Sequence, residues 1–297
     1  MESKRTRAIQ KFQSWAADMT CPICHSPLAW SDNQVRCSNN HSFDLAKQGY
    51  VNLAPNHQET HYSKDLFESR YRIMAEALLY DGIYDDMLTL LTAQGIQLSN
   101  GHPANIIDLG TGEGTHLHHF VDAWGKRTGT AEEELAVNAL GLDLAKDGIL
   151  VAAKHYTNTL WMVADLSQIP LKDASIDGAL TILSPSNYPE LQRVMKENAW
   201  FIKVIPGPHY LRELREIVIA DEADRLQDPA PSTEKFRAAF RNVTSAHYER
   251  VVPLNPEQMA DLIKMTPLMW HADADQIANA TALDHITIDL MLLFGQK

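Results

Sequence analysis

The sequence predicts an α/β protein, a mainly parallel sheet covered on both faces by helices, with a small metal-binding module near its N-terminus. Three observations carry that reading. From about residue 102, short apolar runs alternate with amphipathic stretches, the rhythm of repeated β–α units. A glycine loop, "DLGTGEG" (108–114), ends the first of those runs and opens the helix after it. All three cysteines of the 297 residues fall between Cys21 and Cys37, and a histidine, His41, closes the stretch.

The elements follow in order. Residues 1–19 form a helical extension, with Ile9, Phe12 and Trp15 at helical spacing. Residues 20–60, punctuated by Asn, Ser and Pro, read as hairpins of a metal-binding module, and 56–64 as a polar linker. A helical region, 61–101, carries Leu66, Tyr71, Met74, Leu78, Leu79, Tyr84, Met87, Leu88 and Leu91 in helical periodicity. Residues 102–297 form the main domain. Its expected strands are "NIIDLG" (105–110), "LGLDL" (140–144), "LWMVAD" (160–165), "IDGALTILS" (176–184), "WFIKVIPG" (200–207), "VTSAHYERVVPL" (243–254) and "HITIDLMLLFG" (285–295). Helices are expected on "THLHHFVDAW", "AKDGILVAAKHY", "NPEQMADLIKM" and, as one long helix, "PHYLRELREIVIADEADRL".

Composition narrows the class. Hydrophobic content of 45% and charged content of 22% describe a globular chain. No apolar run is long enough to cross a membrane, and the start lacks the apolar block of a secretory signal, so a cytoplasmic location is expected. There, clustered thiols indicate metal rather than disulfide. The net charge of -12 argues against casual nucleic-acid binding, but it is unevenly placed. Residues 1–60 carry six Lys/Arg against five Asp/Glu, which leaves 20 against 33 in the rest. A polyanion would meet the N-terminal part first, where Lys4, Arg5, Arg7 and Lys11 form a basic patch and Arg36 and Lys47 flank the cluster.

The cluster reads C-x2-C-x12-C-x3-H, two close pairs joined by a hairpin-length gap, which is what a tetrahedral zinc needs. Cys21, Cys24, Cys37 and His41 leave no open position, so one structural zinc is expected. His25 is the rival ligand; His41 has the better spacing from Cys37.

In the glycine loop, Gly110 and Gly112 allow close backbone approach to a ligand at the carboxyl edge of the sheet. Asp143, ending the next strand, is placed to accept both ribose hydroxyls, with Leu144 beside it. Asp165, ending the third, lies where an adenine amino group would be, with Leu166 beside it. Asp108 and Glu113 are also part of the loop. An acidic residue here repels phosphate and suits a cation, which favours S-adenosylmethionine over a dinucleotide.

Together these residues resemble the bacterial 23S rRNA (guanine-N1)-methyltransferases. The resemblance runs from about 20 to 297 through the cysteine cluster, "FDLAKQGYVNLAP" (43–55), "DLGTGEG", "PGPHYLREL" (206–214) and "MTPLMW" (265–270). It implies a zinc module on a class I, Rossmann-like methyltransferase domain with a seven-stranded, mainly parallel sheet. The implied reaction moves methyl from S-adenosylmethionine to N1 of a guanine in a 23S rRNA hairpin, and the implied assembly is a homodimer. It also implies cofactor contacts from Tyr84, Gly110, Gly112, Glu113 and Tyr210.

The segment after the fourth strand, "SPSNY" (184–188), departs from the family, as does Thr111 in the loop and a less basic linker. Ser184 and Asn187 are candidates for the cofactor or guanine edge, and each could equally be a turn or cap residue. Trp270 and Tyr188 are candidates to hold the base, and His209 to titrate near it. Arg70 and Arg72 could meet phosphate, and the run His116, His118, His119 reads as partly exposed surface. Alternative readings are a methyltransferase of another RNA or small molecule, or a non-catalytic zinc-bearing RNA-binding factor.

Overall fold

A computed structural model describes residues 3–31, 34–55, 62–75, 79–97, 103–129 and 137–297. Most of the expected linker (56–61), Leu78 of the helical region, and residues 60, 61 and 101 at the expected boundaries lie outside them.

A small three-stranded antiparallel sheet comes first: β1 (Leu28–Ser31), β2 (Gln34–Cys37) and β3 (Ser42–Phe43). Among the described residues the main sheet has eight strands, where the sequence predicts seven. These are β4 (Tyr50–Asn52), β5 (Ala104–Leu109), β6 (Val137–Asp143), β7 (Leu160–Val163), β8 (Ile176–Ile182), β9 (Met195–Pro206), β10 (Arg241–Pro253) and β11 (His285–Gln296). Their order is β10-β11-β9-β8-β5-β6-β7-β4. Only β11 runs antiparallel to its neighbours β9 and β10. The eighth strand, β4, comes from the cysteine-bearing segment and pairs in parallel with β7, Tyr50 opposite Trp161. The sequence shows it only as part of a short hairpin-like stretch; its two buried residues, Tyr50 and Val51, are satisfied by the sheet edge.

Side chains on the inner strands alternate between two apolar faces, as a doubly covered sheet requires. Ile106, Trp200, Ile202 and Leu292 enter one core; Ile107, Phe201 and Leu293 enter the other. The first core is covered by α2 (Lys64–Ala75), α3 (Ile83–Ala93), α4 (Thr115–Thr128), α5 (Lys146–His155), α7 (Arg212–Val218), α9 (Pro256–Met265) and α10 (Ala274–Thr281). The second is covered by α1 (Lys4–Trp15), α6 (Tyr188–Val194) and α8 (Ala230–Ala239).

The N-terminal helix is therefore part of the second layer. Phe12 and Trp15 are fully buried there with Leu140 and Leu160. Two of its basic residues are tied to the end of α5: the Lys4 amine donates to the Lys154 carbonyl, and Arg7 Nη1 donates to Thr157 Oγ1 at 2.9 Å. The expected basic patch is correspondingly reduced.

The expected long helix over 208–226 is α7 alone, followed by a single 3-10 turn at Glu222–Asp224. The β-branched run Ile217-Val218-Ile219 ends it, with Ile219 extended. Arg225 then donates to the Ile219 carbonyl and Arg215 to the Asp224 carbonyl, so the chain folds back on itself. Capping boxes begin α9 (Asn255 with Gln258) and α10 (Asp273 with Gln276).

Candidate functional site

The hairpins of the small sheet bring Cys21, Cys24, Cys37 and His41 together, their donor atoms all within 4.8 Å of one another. Cys24 Sγ lies 3.7 Å from Cys37 Sγ, and His41 Nδ1 lies 3.6 Å and 3.5 Å from Cys21 and Cys37 Sγ. A regular tetrahedron with zinc–sulfur bonds of about 2.3 Å has edges of roughly 3.8 Å, close to these three separations, so the donor set suits zinc. Electrostatics suit it too. The Ser26 hydroxyl and backbone hold the Cys24 thiol down to about 5, which favours the thiolate, whereas burial raises Cys21. His25 stands outside the cluster, its Nε2 3.3 Å from Gln168 Nε2.

The cofactor candidates converge at the carboxyl end of the main sheet. Gly110, Gly112 and Gly114 all have positive φ (76°, 58° and 82°), so the loop turns back sharply from β5 into α4. The Ser184 hydroxyl oxygen lies 2.0 Å from where a Gly110 Cβ would sit, so no larger residue fits there. Asp143, at the end of β6, braces the loop: its Oδ2 accepts from the Gly112 N–H at 2.7 Å and its Oδ1 from the Ala145 N–H at 2.8 Å. Burial raises its pKa against those two bonds. Leu144 and Leu166 are half-buried beside the ends of β6 and β7, and Asp165 is exposed, accepting from Ser167 N–H at 2.8 Å.

Behind the loop lies a polar nest. Arg70 Nε, from α2, is 2.6 Å from Glu113 Oε2, and that carboxylate is wholly buried. Tyr80 and Tyr210 share a hydrogen bond at 3.1 Å, and Tyr84 Oη meets His116 Nδ1 at 3.0 Å. Asp108 Oδ1, Thr111 Oγ1, Glu113 Oε1 and His116 Nε2 are buried without a hydrogen-bond partner among the described residues, whereas Glu113 Oε2 is taken by Arg70. So dense a set of unsatisfied polar atoms beside a glycine loop fits a ligand with its own charged groups, such as the methionine part of S-adenosylmethionine. Burial pushes the Asp108 carboxyl up to about 7.

Several expectations change here. Arg70 is engaged by Glu113 and Arg72 by Asp261, on Nε at 2.9 Å, rather than facing phosphate. His116 is buried, not surface, and burial holds it neutral; His118 stacks on Tyr156 at 4.3 Å. Asn187 caps α6, accepting from the Glu190 N–H at 3.2 Å. Tyr188 is half-buried and packs edge-on against Phe201, Phe236 and Phe240 of the second core. The His209 N–H donates to Asp289 Oδ2 at 2.7 Å, so a buried strand carboxylate anchors the turn after β9. The ring Nδ1 of His209 is buried with no hydrogen-bond partner among the described residues.

Trp270 is 40% exposed, and its ring meets that of the equally exposed Tyr62 edge-on at 5.3 Å. Tyr62 in turn neighbours Phe67, at 6.1 Å, which lies 3.6 Å from a Cβ built on Gly112. The exposed pair is thus at the rim of the glycine-loop site. Neither Tyr62 nor Tyr80 is visible as a site residue in sequence, because each acquires its role from a partner far along the chain.

Comparison with known proteins agrees with this geometry. A zinc-ribbon family described as RlmA, N-terminal, matches residues 19–61. A Bacillus subtilis protein with the provisional name 23S rRNA (guanine-N1)-methyltransferase YxjB is 35% identical over 93% of this chain and 96% of its own. The 23S rRNA (guanine(748)-N1)-methyltransferase of Streptomyces fradiae is 29% identical over 89% of this chain and 90% of its own. Among solved structures, a provisionally assigned methyltransferase from an antibiotic biosynthesis pathway of Anabaena variabilis shares the fold. Its TM-score is 0.50 at 13% identity, covering 70% of this chain and 96% of that one. With a zinc ribbon, a methyltransferase sheet and a relative this similar along almost its whole length, the chain belongs to the 23S rRNA (guanine-N1)-methyltransferase family.

Proposed function

We propose that this chain transfers the methyl group of S-adenosylmethionine to N1 of a guanine in a hairpin loop of 23S rRNA. The observation that carries the reading is the joining of a Cys3His zinc ribbon to a buried glycine loop in a chain that matches a guanine-N1 methyltransferase over nearly its whole length. Glu113, Asp143, Tyr84 and Tyr210 would hold the cofactor, with Leu144, Asp165 and Leu166 toward its adenosine. Zinc rigidifies the N-terminal ribbon.

Guanine N1 is a ring N–H and a weak nucleophile until that proton leaves, so most of the acceleration comes from aligning it with the methyl group. A loop base is extruded at a cost of a few kcal/mol and then needs an aromatic face. Trp270 with Tyr62 supplies one. Arg36 and Lys47 of the ribbon give the RNA a surface less repulsive than the acidic remainder. A homodimer in the cytoplasm, with two ribbons framing the RNA, completes the proposal. Among the described residues no helix is long and apolar enough to cross a membrane.

The test is mass mapping of 23S rRNA from cells lacking the protein, with addition of purified protein and labelled S-adenosylmethionine. One guanine should lose its N1-methyl group in those cells and regain it in vitro. Label entering a metabolite pool and not rRNA would overturn the substrate; no transfer at all would favour a non-catalytic RNA-binding factor.

A further inference from the structure

Lys203 lies inside β9 and is only 7% exposed, yet no carboxylate among the described residues pairs with it. Its amine meets the Ser184 carbonyl at 3.1 Å and Ser186 Oγ at 2.7 Å. Its strand partners are Thr181 on β8 and Leu293 on β11, and from α6 it faces the Tyr188 ring, 5.9 Å away. Tyr188 is the one titratable group these neighbours bring to it, and burial raises that phenol, so no negative charge faces the amine. A buried lysine in such surroundings is a costly structural choice, because two neutral acceptors and an aromatic face compensate its desolvated charge only in part and no counter-ion does. Burial lowers its pKa to about 8, where amine and ammonium interchange near neutral pH.

The two serines belong to the turn that follows β8. Leu183 begins that turn with φ of 56°, a left-handed conformation that costs energy for a leucine. Ser184 then presses its hydroxyl against Gly110 of the cofactor loop. Ser186 is only half-buried. It therefore links a dry amine to the accessible edge of the site beside the cofactor loop.

We propose that Ser186 and Lys203 together accept the proton that guanine N1 must lose, Ser186 Oγ meeting the base and Lys203 standing behind it. The inference rests on the methyl-transfer reading above. In the acting state the neutral amine donates one N–H to the Ser184 carbonyl and accepts the Ser186 O–H. The N1 proton passes to Ser186 Oγ as the hydroxyl proton passes to Lys203 Nζ. The freed N1 electron pair forms the bond to methyl as the sulfur–carbon bond breaks. The products are N1-methylguanine, neutral S-adenosylhomocysteine and a lysine ammonium, which returns its proton to water.

The test is single-turnover methyl transfer from labelled S-adenosylmethionine to unmodified 23S rRNA, followed from about pH 6 to about pH 9.5. The wild-type rate should rise with pH and level off above about 8. Lys203→Met and Ser186→Ala should each slow the step by roughly 10²–10⁴-fold at neutral pH and lose that inflection. RNA and cofactor affinities should stay within about twofold, a change too small to explain the rate. Lys203→Arg keeps the cation and its donors but cannot give up a proton, so it should be equally slow while melting near the wild-type temperature. Should Lys203→Met fail to fold, Ser186→Ala and Lys203→Arg carry the test. Retention of rate and inflection by either variant would overturn the proposal and leave Lys203 as a clamp on the turn. A wild-type protein that methylates no rRNA would instead overturn the parent reading, and this one with it.

Discussion

Arg70 Nε and Glu113 Oε2 meet at 2.6 Å, joining α2 to the glycine loop through a carboxylate with no solvent exposure. The pair fixes a helix that precedes the main domain in sequence onto the site. Removing one partner leaves the other charge buried alone, the costly case for an internal ion pair. Arg70→Met should therefore destabilise the protein by ~3–5 kcal/mol. Adding Glu113→Gln should recover much of that loss, since the double variant buries no charge. Denaturant unfolding of the two single variants and the double one measures the coupling. Additive losses would show that the two side chains do not act as a pair.

Zinc loss should reach further than the ribbon. Cys21, Cys37, Val35 and Phe43 share one apolar cluster with Leu140 and Leu160 of the main sheet, and β4 of the same segment pairs with β7. Cys37→Ser is expected to abolish the one bound zinc per chain and to loosen that sheet edge. Metal analysis and amide exchange over Leu160–Val163 check both. Zinc-free protein purified without chelator, or unchanged exchange in the variant, would contradict the respective half.

Asp143 braces the loop through the Gly112 N–H, and the proposed function gives it the cofactor ribose as well. Asp143→Ala should weaken S-adenosylmethionine binding by about 1.5–3 kcal/mol, the scale of lost charge-assisted hydrogen bonds. Calorimetry on a variant shown to be folded is the measurement. Unchanged affinity would mean that the ribose is held elsewhere and the brace is dispensable.

Asp108 should leave a pH signature on stability. Its folded pKa, about 7, stands above the usual aspartate value of about 3.9, so between those limits the folded state holds a proton that the unfolded state has lost. Its contribution thus favours folding at low pH, declines as pH rises from about 4 to about 7, and is flat above. Asp108→Asn lacks that decline. Relative to wild type, the variant should gain stability as pH rises from about 4 to about 7, by up to ~1.4 kcal/mol per pH unit. Parallel stability profiles for the two cofactor-free proteins would show that Asp108 is ionised in the fold.

Trp270 and Tyr62 meet edge-on, and both are exposed. Trp270→Ala should weaken productive RNA binding by about 1–3 kcal/mol, the range for losing one stacked base, with little change in cofactor affinity or melting temperature. RNA and cofactor titrations of the same variant separate these effects. Normal RNA affinity together with a normal rate would remove the pair as the base platform.

The sequence by itself determined the chemistry whose signal is local. The paired cysteine spacing is set by tight turns, and the glycine loop by backbone that must turn and be approached closely, so both are legible in a few consecutive residues. The apolar runs of β5 to β8 are equally local, since a strand buried on both faces shows nearly its whole length as apolar. Tertiary structure alone decided which polar residues meet. Arg70 finds Glu113, Tyr80 finds Tyr210, His209 is held by Asp289, and Lys203 reaches Ser186, each pair set by packing between elements far apart in the chain. It also decided that β4 leaves the ribbon for the sheet edge and that Tyr188 packs against the second core while Trp270 stays at the surface. An aromatic or a short apolar run has the same sequence signature in either place, and only the neighbours available to bury it determine where it goes.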